Sequence, residues 1–130
     1  MSDNRVLIVD DDEDIRRVLN LFLKNSEYDV VGEAPDGMNI LEIIEQKSPN
    51  IVLLDINMPG INGLDVLSKI NQSYPDIKVV IVTVSGKNID INKAKEQGAC
   101  GYVYKPFDTN TLIQDIRLAT NTNNFLQQTG

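Results

Sequence analysis

Five short apolar runs divide the chain, and a segment with helical spacing follows each of them. Three of the runs, VLIV, IVLL and VVIV, are continuous rather than alternating, which is typical of central strands that helices cover on both faces. The alternation of strand and helix patterns predicts parallel βαβ units in a single sheet. We therefore predict strands at residues 5–9, 28–34, 51–54, 78–83 and 101–104.

Apolar residues between these runs recur at spacings of three and four positions, as they do along one face of a helix. The fourth helical segment, at about residues 88–97, has only Ile89, Ile91 and Ala94 for a buried face, so we expect it to be the least firmly held. Gly98 follows it, where a left-handed C-terminal residue is expected. The other four stripes lie at Ile15, Val18, Leu19 and Phe22; at Ile40, Leu41, Ile43 and Ile44; at Leu64, Val66, Leu67 and Ile70; and at Leu112, Ile113, Ile116 and Ala119.

The strand and helix patterns also predict the domain organisation. They continue to about Thr120, so we predict a single domain over residues 1–120. The last ten residues, 121–130, are polar and unpatterned. We expect them to form a flexible C-terminal tail or the start of a linker.

Composition narrows the chemistry that is open to this chain. Its 130 residues carry a formal net charge of −7, one cysteine and no histidine. Without histidine, catalytic triads, histidine-bearing zinc sites and imidazole acid–base catalysis are excluded on this chain. The negative charge opposes direct binding to nucleic acid or to an anionic membrane. Because neither a signal-peptide pattern nor an apolar run of ~18 residues occurs, we expect a cytoplasmic location.

Reactive side chains stand at the ends of four of the five predicted strands. Asp10 and Asp11 follow the first, Asp55 follows the third, Thr83 ends the fourth and Lys105 follows the fifth. In an open parallel sheet, ligands bind beyond the carboxyl ends of the strands. Each residue alone has an ordinary explanation, since acids cap helices and form turns, and lysines lie at surfaces. Capping does not explain an acid, a hydroxyl and a cation at three other strand ends.

Convergence of these residues has a chemical consequence. Two carboxylates ~4 Å apart repel each other by about 4 kcal/mol at an effective dielectric constant of about 20, so three of them need a cation. Magnesium and manganese prefer such oxygen ligands. Asp55 stands apart from the other acids and is the candidate nucleophile for a phosphoryl group. Lys105 would balance charge on that group, and the Thr83 hydroxyl would donate to it.

Five motifs in order make the chain resemble the receiver domain of two-component response regulators, over about residues 5–120. The resemblance implies a flavodoxin-like fold of three layers, a doubly wound (βα)5 domain with a parallel five-stranded sheet in the order 2-1-3-4-5. It is carried by Val6-Leu7-Ile8-Val9-Asp10-Asp11, Asp55-Ile56-Asn57-Met58-Pro59-Gly60 with Gly63, Thr83, and Tyr102-Val103-Tyr104-Lys105-Pro106-Phe107.

The resemblance also implies how such a domain works. A phosphohistidine on a sensor histidine kinase or a histidine phosphotransfer protein would phosphorylate Asp55, with Mg²⁺ or Mn²⁺ bound. The ion would be held by Asp11, Asp55 and the backbone carbonyl of Asn57, and by Asp10 through water. Lys105 would contact the phosphoryl group, and the peptide bond from Lys105 to Pro106 is expected to be cis.

Signalling would follow from a rearrangement, again by resemblance. Thr83 would move toward the phosphoryl group and Tyr102 would turn inward, changing the surface of the fourth helix, fifth strand and fifth helix. Such a domain is a phospho-acceptor module rather than an enzyme, with Mg²⁺-dependent autophosphorylation and autodephosphorylation. It regulates a downstream protein as a monomer or a weak, phosphorylation-dependent dimer. Asn57 and Ser85 occupy positions that tune the phosphoryl lifetime in the family.

One departure from the family pattern is Val84, which stands where receivers usually carry a smaller residue. The added bulk should narrow the entrance to the site, so small donors such as acetyl phosphate should react more slowly than with a Val84→Ala variant. The sequence does not choose among a motor switch, a phosphorelay protein and a missing effector domain as the output.

Three other functions fit the sequence less well. A hydrolase of the haloacid-dehalogenase type carries an acid two residues after its nucleophile, and that position here is Asn57. A flavin-binding module needs Gly, Ser or Thr after the first strand, where this chain has acids that would repel phosphate. A receiver fold that is never phosphorylated would not need all of the site residue types that are present.

Overall fold

The structure, a computed structural model, describes residues 4–58, 62–84 and 91–122. Five strands alternate with five helices along the described chain. The strands are β1 (Arg5–Val9), β2 (Asp29–Ala34), β3 (Ile51–Asp55), β4 (Lys78–Val84) and β5 (Ala99–Lys105). The helices are α1 (Glu13–Leu23), α2 (Ile40–Lys47), α3 (Gly63–Ser73), α4 (Ile91–Glu96) and α5 (Thr109–Thr122).

All strands are parallel and form one sheet in the order β2-β1-β3-β4-β5, which confirms the predicted flavodoxin-like fold. The reversal of winding places β1 and β3 side by side at the centre. The carboxyl ends of these two strands therefore border the crevice in which such sheets bind their ligands.

Two apolar clusters cover the sheet and make the fold three-layered. Leu19 and Leu23 of α1 and Leu112 and Ile116 of α5 pack on one face. On the other face, α2, α3 and α4 contribute Ile40, Ile44, Val66, Leu67, Ile70 and Ala94. The continuous apolar runs of β1, β3 and β4 are buried on both sides, as predicted for central strands.

The largest difference in strand bounds is in β5. It begins two residues before the predicted run and ends one residue after it, at Lys105. It pairs with β4 alone and only alternate residues along Ala99–Val103 are buried. An edge strand can therefore include residues that an apolar run does not show.

The fourth helix is described only in part. Residues 88–90 of the predicted helix lie outside the described residues, so the place of Ile89 is not addressed. Within α4, Ala94 is buried and Ile91 is half-buried. Gly98 follows with φ of 108°, which confirms the predicted left-handed residue and explains why glycine is suited to this position. None of the helices in the described part of the chain is long and apolar enough to cross a membrane.

Candidate functional site

The structure brings the predicted side chains together at the carboxyl edge of the sheet. The Lys105 Nζ atom lies 3.1 Å from Asp10 Oδ2 and 3.5 Å from Asp55 Oδ2. One carboxylate oxygen each from Asp10, Asp11 and Asp55 lies within 4.8 Å of the others. Strands β1, β3 and β5 thus deliver three acids and one cation to a single small region.

Burial differs among the members of this acidic cluster. Asp10 and Asp55 are 1% and 4% exposed, whereas Asp11 is exposed. The Lys105 side chain is 15% exposed. The cluster therefore has a buried floor and an open side, and an incoming group would approach from the side of Asp11.

Two backbone N–H groups orient the buried carboxylates in the same way. The N–H of Asp12 donates to Asp10 Oδ1 at 2.9 Å, and the N–H of Asn57 donates to Asp55 Oδ1, also at 2.9 Å. Each acid thus bonds the chain two residues ahead, a common Asx turn. Because the Oδ1 atoms are held by the chain, the Oδ2 atoms face the Lys105 ammonium.

The electrostatic balance of the site favours an added cation. Burial raises the pKa of Asp55, and the neighbouring carboxylates Asp10 and Asp11 raise it further, against the lowering effects of the Asn57 N–H and Lys105. The described cluster contains three carboxylates and one ammonium, which pairs with Asp10 and Asp55. A divalent cation would offset the remaining repulsion.

The donor set fits magnesium or manganese. Carboxylate oxygens are the hard ligands that these ions prefer, and Mg²⁺ in proteins commonly uses one or two carboxylates and keeps several waters. Asp10, Asp11 and Asp55 supply such oxygens within ligand-sharing distance. The Asn57 carbonyl as a further ligand stays a prediction, although its residue is tied to Asp55 by its own N–H.

An additional contact links the loop after β3 to β4. The Asn57 Nδ2 atom donates to Thr83 Oγ1 at 3.0 Å, and Thr83 is 1% exposed. The sequence predicts roles for the Asn57 carbonyl and for Asn57 in phosphoryl lifetime, and it does not predict this bond. No sequence signal marks it, because the two residues are 26 positions apart and the bond depends on strand pairing.

Tyr102 lies on the same face of the sheet as Thr83. Tyr102 pairs in register with Ile81, and both contribute to the same apolar cluster. Thr83 follows Ile81 by two residues and so projects from that same face. The Tyr102 ring is half-buried and lies 5.0 Å from the Tyr104 ring, centroid to centroid. The two predicted switch residues are therefore on adjacent strands and one face.

The acidic residues after β1 have two different structural roles. Asp12 caps α1, because its carboxylate accepts hydrogen bonds from the N–H groups of Asp14 and Ile15. Asp10 and Asp11 instead join the cluster around Asp55. Helix capping, the ordinary explanation for these acids, thus accounts for Asp12, whereas Asp10 and Asp11 lie in the cluster.

Three further expectations concern the Lys105–Pro106 peptide bond, Ser85 and Val84. The peptide bond between Lys105 and Pro106 is cis, as the resemblance implied. Ser85, one of the two residues expected to tune phosphoryl lifetime, lies outside the described residues. Val84 directly follows Thr83 and is 39% exposed. Its predicted effect on small donors remains a prediction.

Comparison with known proteins points to one family. A family model described as the response regulator receiver domain matches residues 6–117. Response regulator GacA of Pseudomonas aeruginosa is 38% identical over 114 residues, which cover 87% of this chain and 53% of that protein. Chemotaxis protein CheY of Thermotoga maritima is 33% identical over 110 residues, which cover 85% of this chain and 92% of that protein.

Solved structures agree with the sequence comparison. The crystal structure of the CheX-CheY-BeF3-Mg+2 complex from Borrelia burgdorferi contains a chain that matches with a TM-score of 0.80 at 26% identity, covering 88% of this chain and 87% of that one. The chain spans about half the length of curated regulators such as GacA.

Proposed function

Because the chain belongs to the response regulator receiver domain family, we propose that it is a phospho-acceptor in which Asp55 receives a phosphoryl group from a partner's phosphohistidine. The observation that carries this proposal is the meeting of Asp55, Lys105 and two further carboxylates at one sheet edge. Asp10, Asp11 and Asp55, with the Asn57 carbonyl, would hold Mg²⁺ or Mn²⁺. The bound ion would supply positive charge to the phosphoryl oxygens.

The transfer uses groups that the site places together. A carboxylate oxygen of Asp55 forms a bond to phosphorus while the bond from phosphorus to the partner's histidine nitrogen breaks, and that nitrogen keeps the electron pair. Lys105 is close enough to both buried acids to contact the transferred group and stabilise its negative charge. Hydrolysis of the acyl phosphate would return the site to its starting state.

The Thr83 contact supports a switch. A phosphoryl group adds negative charge and acceptor oxygens at Asp55, so the Thr83 hydroxyl would exchange its bond with Asn57 for one with the phosphoryl group. A hydrogen bond to a charged group contributes about 1.5–3 kcal/mol, which shifts a two-state equilibrium by roughly 10- to 100-fold. Tyr102, on the same face of the neighbouring strand, would follow and alter the surface of α4, β5 and α5.

Partners follow from the family and from charge. We propose a sensor histidine kinase or a histidine phosphotransfer protein as donor and a downstream protein as target, in the cytoplasm. The net charge of −7 disfavours direct contact with nucleic acid. In this chain the receiver acts as a signalling module, as a monomer or as a weak dimer when phosphorylated, and not as an enzyme with its own substrate turnover.

Intact-mass spectrometry after incubation with Mg²⁺ and acetyl phosphate tests this function. Wild-type protein should gain one adduct of about 80 Da, the mass of one phosphoryl group, and Asp55→Asn should gain none. Asp12→Asn is the matched control, because it removes a nearby acid that caps α1 and should keep the adduct. An adduct on Asp55→Asn, or none on wild type, would overturn the proposal, and the latter would favour the unphosphorylated interaction module.

A further inference from the structure

Arg16 of α1 contacts the backbone of the acidic residues after β1 directly. One of its terminal nitrogens donates to the Asp10 carbonyl oxygen at 2.7 Å. Its Nε atom donates to the Glu33 carboxylate at 3.1 Å, and the Arg16 side chain is only 16% exposed. A single guanidinium thus joins the loop after β1 to the edge strand β2.

A further residue fixes Glu33 in place. Asn20, one turn along α1, donates from Nδ2 to the second Glu33 carboxylate oxygen at 2.7 Å and to the Arg16 carbonyl at 3.0 Å. Both oxygens of Glu33 are therefore engaged. Because the planar guanidinium has donors in a fixed fork, the Glu33 contact determines how Arg16 meets the Asp10 carbonyl.

The Asp10 carbonyl belongs to the peptide group between Asp10 and Asp11, which are two of the three acids of the cluster. The N–H of Asp10 donates to the Ala34 carbonyl at 3.1 Å, so the backbone of Asp10 is held on both sides. Among the described residues, no hydrogen bond holds the exposed Asp11 carboxylate. The direction of the Asp11 side chain is therefore set by the backbone. If the peptide group between Asp10 and Asp11 could rotate, the mutual repulsion of the three carboxylates would turn the Asp11 carboxylate outward.

We propose that Arg16 is a positioning residue: by holding the peptide group between Asp10 and Asp11, it aims these carboxylates at the divalent ion. This inference rests on the proposed function, since it concerns the same metal site. Arg16 acts through the backbone and contacts neither the acceptor Asp55 nor the phosphoryl group.

The direction in which the loss of Arg16 changes cation affinity distinguishes a positioning role from a purely electrostatic one. Removing a nearby positive charge should, by Coulomb's law, strengthen the binding of a cation. Losing a positioning contact should weaken it. A charge-assisted hydrogen bond contributes enough to change an equilibrium by about tenfold or more, so the positioning effect should dominate.

The test measures the dissociation constant of Mn²⁺ on unphosphorylated protein by electron paramagnetic resonance. We expect Arg16→Ala to raise it about tenfold, since one charge-assisted hydrogen bond corresponds to that factor. Arg16→Lys should give an intermediate value. Arg17→Ala is the matched control, because it removes the same charge from the same helix, where Arg17 pairs with Glu13 at the surface. It should leave the constant within about twofold or lower it slightly.

A second measurement needs no metal. The N–H of Asp12, which bonds Asp10 Oδ1, should exchange its hydrogen faster in Arg16→Ala and in Glu33→Gln than in wild type or Arg17→Ala. Glu33→Gln keeps the guanidinium and guards against a variant that does not fold. Equal or tighter Mn²⁺ binding by Arg16→Ala would overturn the positioning role and leave the proposed function intact. Absence of Mn²⁺ binding by wild type would overturn the metal site itself.

Discussion

Individual residues in this site carry more than one contact, and Asn57 is the clearest case. Its N–H holds Asp55 and its side chain holds Thr83. The proposed acceptor and the predicted switch residue are thus connected through Asn57 in the unphosphorylated protein. We expect the movement of Thr83 toward a phosphoryl oxygen to lengthen and break this bond, so that Asn57 favours the unphosphorylated arrangement.

Asn57→Ala should therefore favour the switched arrangement. A neutral hydrogen bond contributes about 0.5–1.5 kcal/mol, so the ratio of the switched to the unswitched arrangement in phosphorylated protein should rise by roughly two- to tenfold. The backbone carbonyl of residue 57 is unchanged by the substitution. The measurement is the NMR chemical shift of Tyr102 in the phosphorylated protein. Adding Thr83→Ala should abolish the response, and unchanged shifts in Asn57→Ala would contradict this role.

Sequence patterns predicted which side chains meet at this edge of the sheet, because their places follow from strand order. Asp10, Asp55 and Lys105 each stand where a strand ends, and parallel strands bring their carboxyl ends to one edge. Which of these acids caps α1 and which join the cluster could not be predicted in the same way, although Asp12 is the cap and Asp10 and Asp11 lie in the cluster. It depends on backbone dihedral angles within a loop, which the residue types alone do not specify.

At the scale of elements, α4 contrasts with α3. In the described part of α4, Ala94 is the buried residue, whereas α3 buries Gly63, Val66, Leu67 and Ile70. A weakly packed helix has a low free energy of local opening. The sequence predicts this small buried face because it follows from the count of apolar side chains. It could not predict that β5 reaches Lys105, since an edge strand is defined by its pairing.

Hydrogen exchange should distinguish these two helices. Each buried aliphatic side chain contributes about 1.5–3 kcal/mol, so the last amides of α4 should open with a free energy at least ~2 kcal/mol below those of α3. The corresponding exchange rates should differ by roughly 30-fold or more. Mass spectrometry or NMR of the unphosphorylated protein measures both helices in one sample. Equal protection would contradict the expectation that α4 is the most easily rearranged helix at the signalling surface.

For the whole molecule, the acidic site is a cost to stability. The pKa of Asp55 is raised, chiefly by burial, from an unfolded value of 3.8. The folded state therefore binds the proton more tightly, and the free energy of unfolding falls as pH rises through the raised pKa. The cost is fully present above the raised pKa and disappears below the unfolded value.

Asp55→Asn should consequently be more stable than wild type at pH 7. Its melting temperature should rise by roughly 4 °C for each kcal/mol gained, and the gap should close as pH falls toward the unfolded pKa of 3.8. Asp115 is the matched control, because burial also raises its pKa although it lies in α5, outside the acidic cluster. Asp115→Asn should show the same sign.

The effect of Mg²⁺ on the melting temperature should distinguish Asp55→Asn from Asp115→Asn. The ion should raise the melting temperature of wild type and of Asp115→Asn, since a ligand that binds the folded state stabilises it. It should have a smaller effect on Asp55→Asn, in which a neutral amide replaces one of the proposed carboxylate ligands. Lower stability of Asp55→Asn at neutral pH would contradict the electrostatic cost.

The most direct measurement locates the phosphoryl group on the chain. Protein treated with acetyl phosphate and Mg²⁺ is reduced with borohydride, which converts an aspartyl phosphate to homoserine, and its peptides are then sequenced by mass spectrometry. Homoserine should replace Asp55, and the yield should fall sharply when EDTA removes the metal. Homoserine at Asp10 or Asp11 instead, or no homoserine at any position, would contradict the assignment of Asp55 as the acceptor.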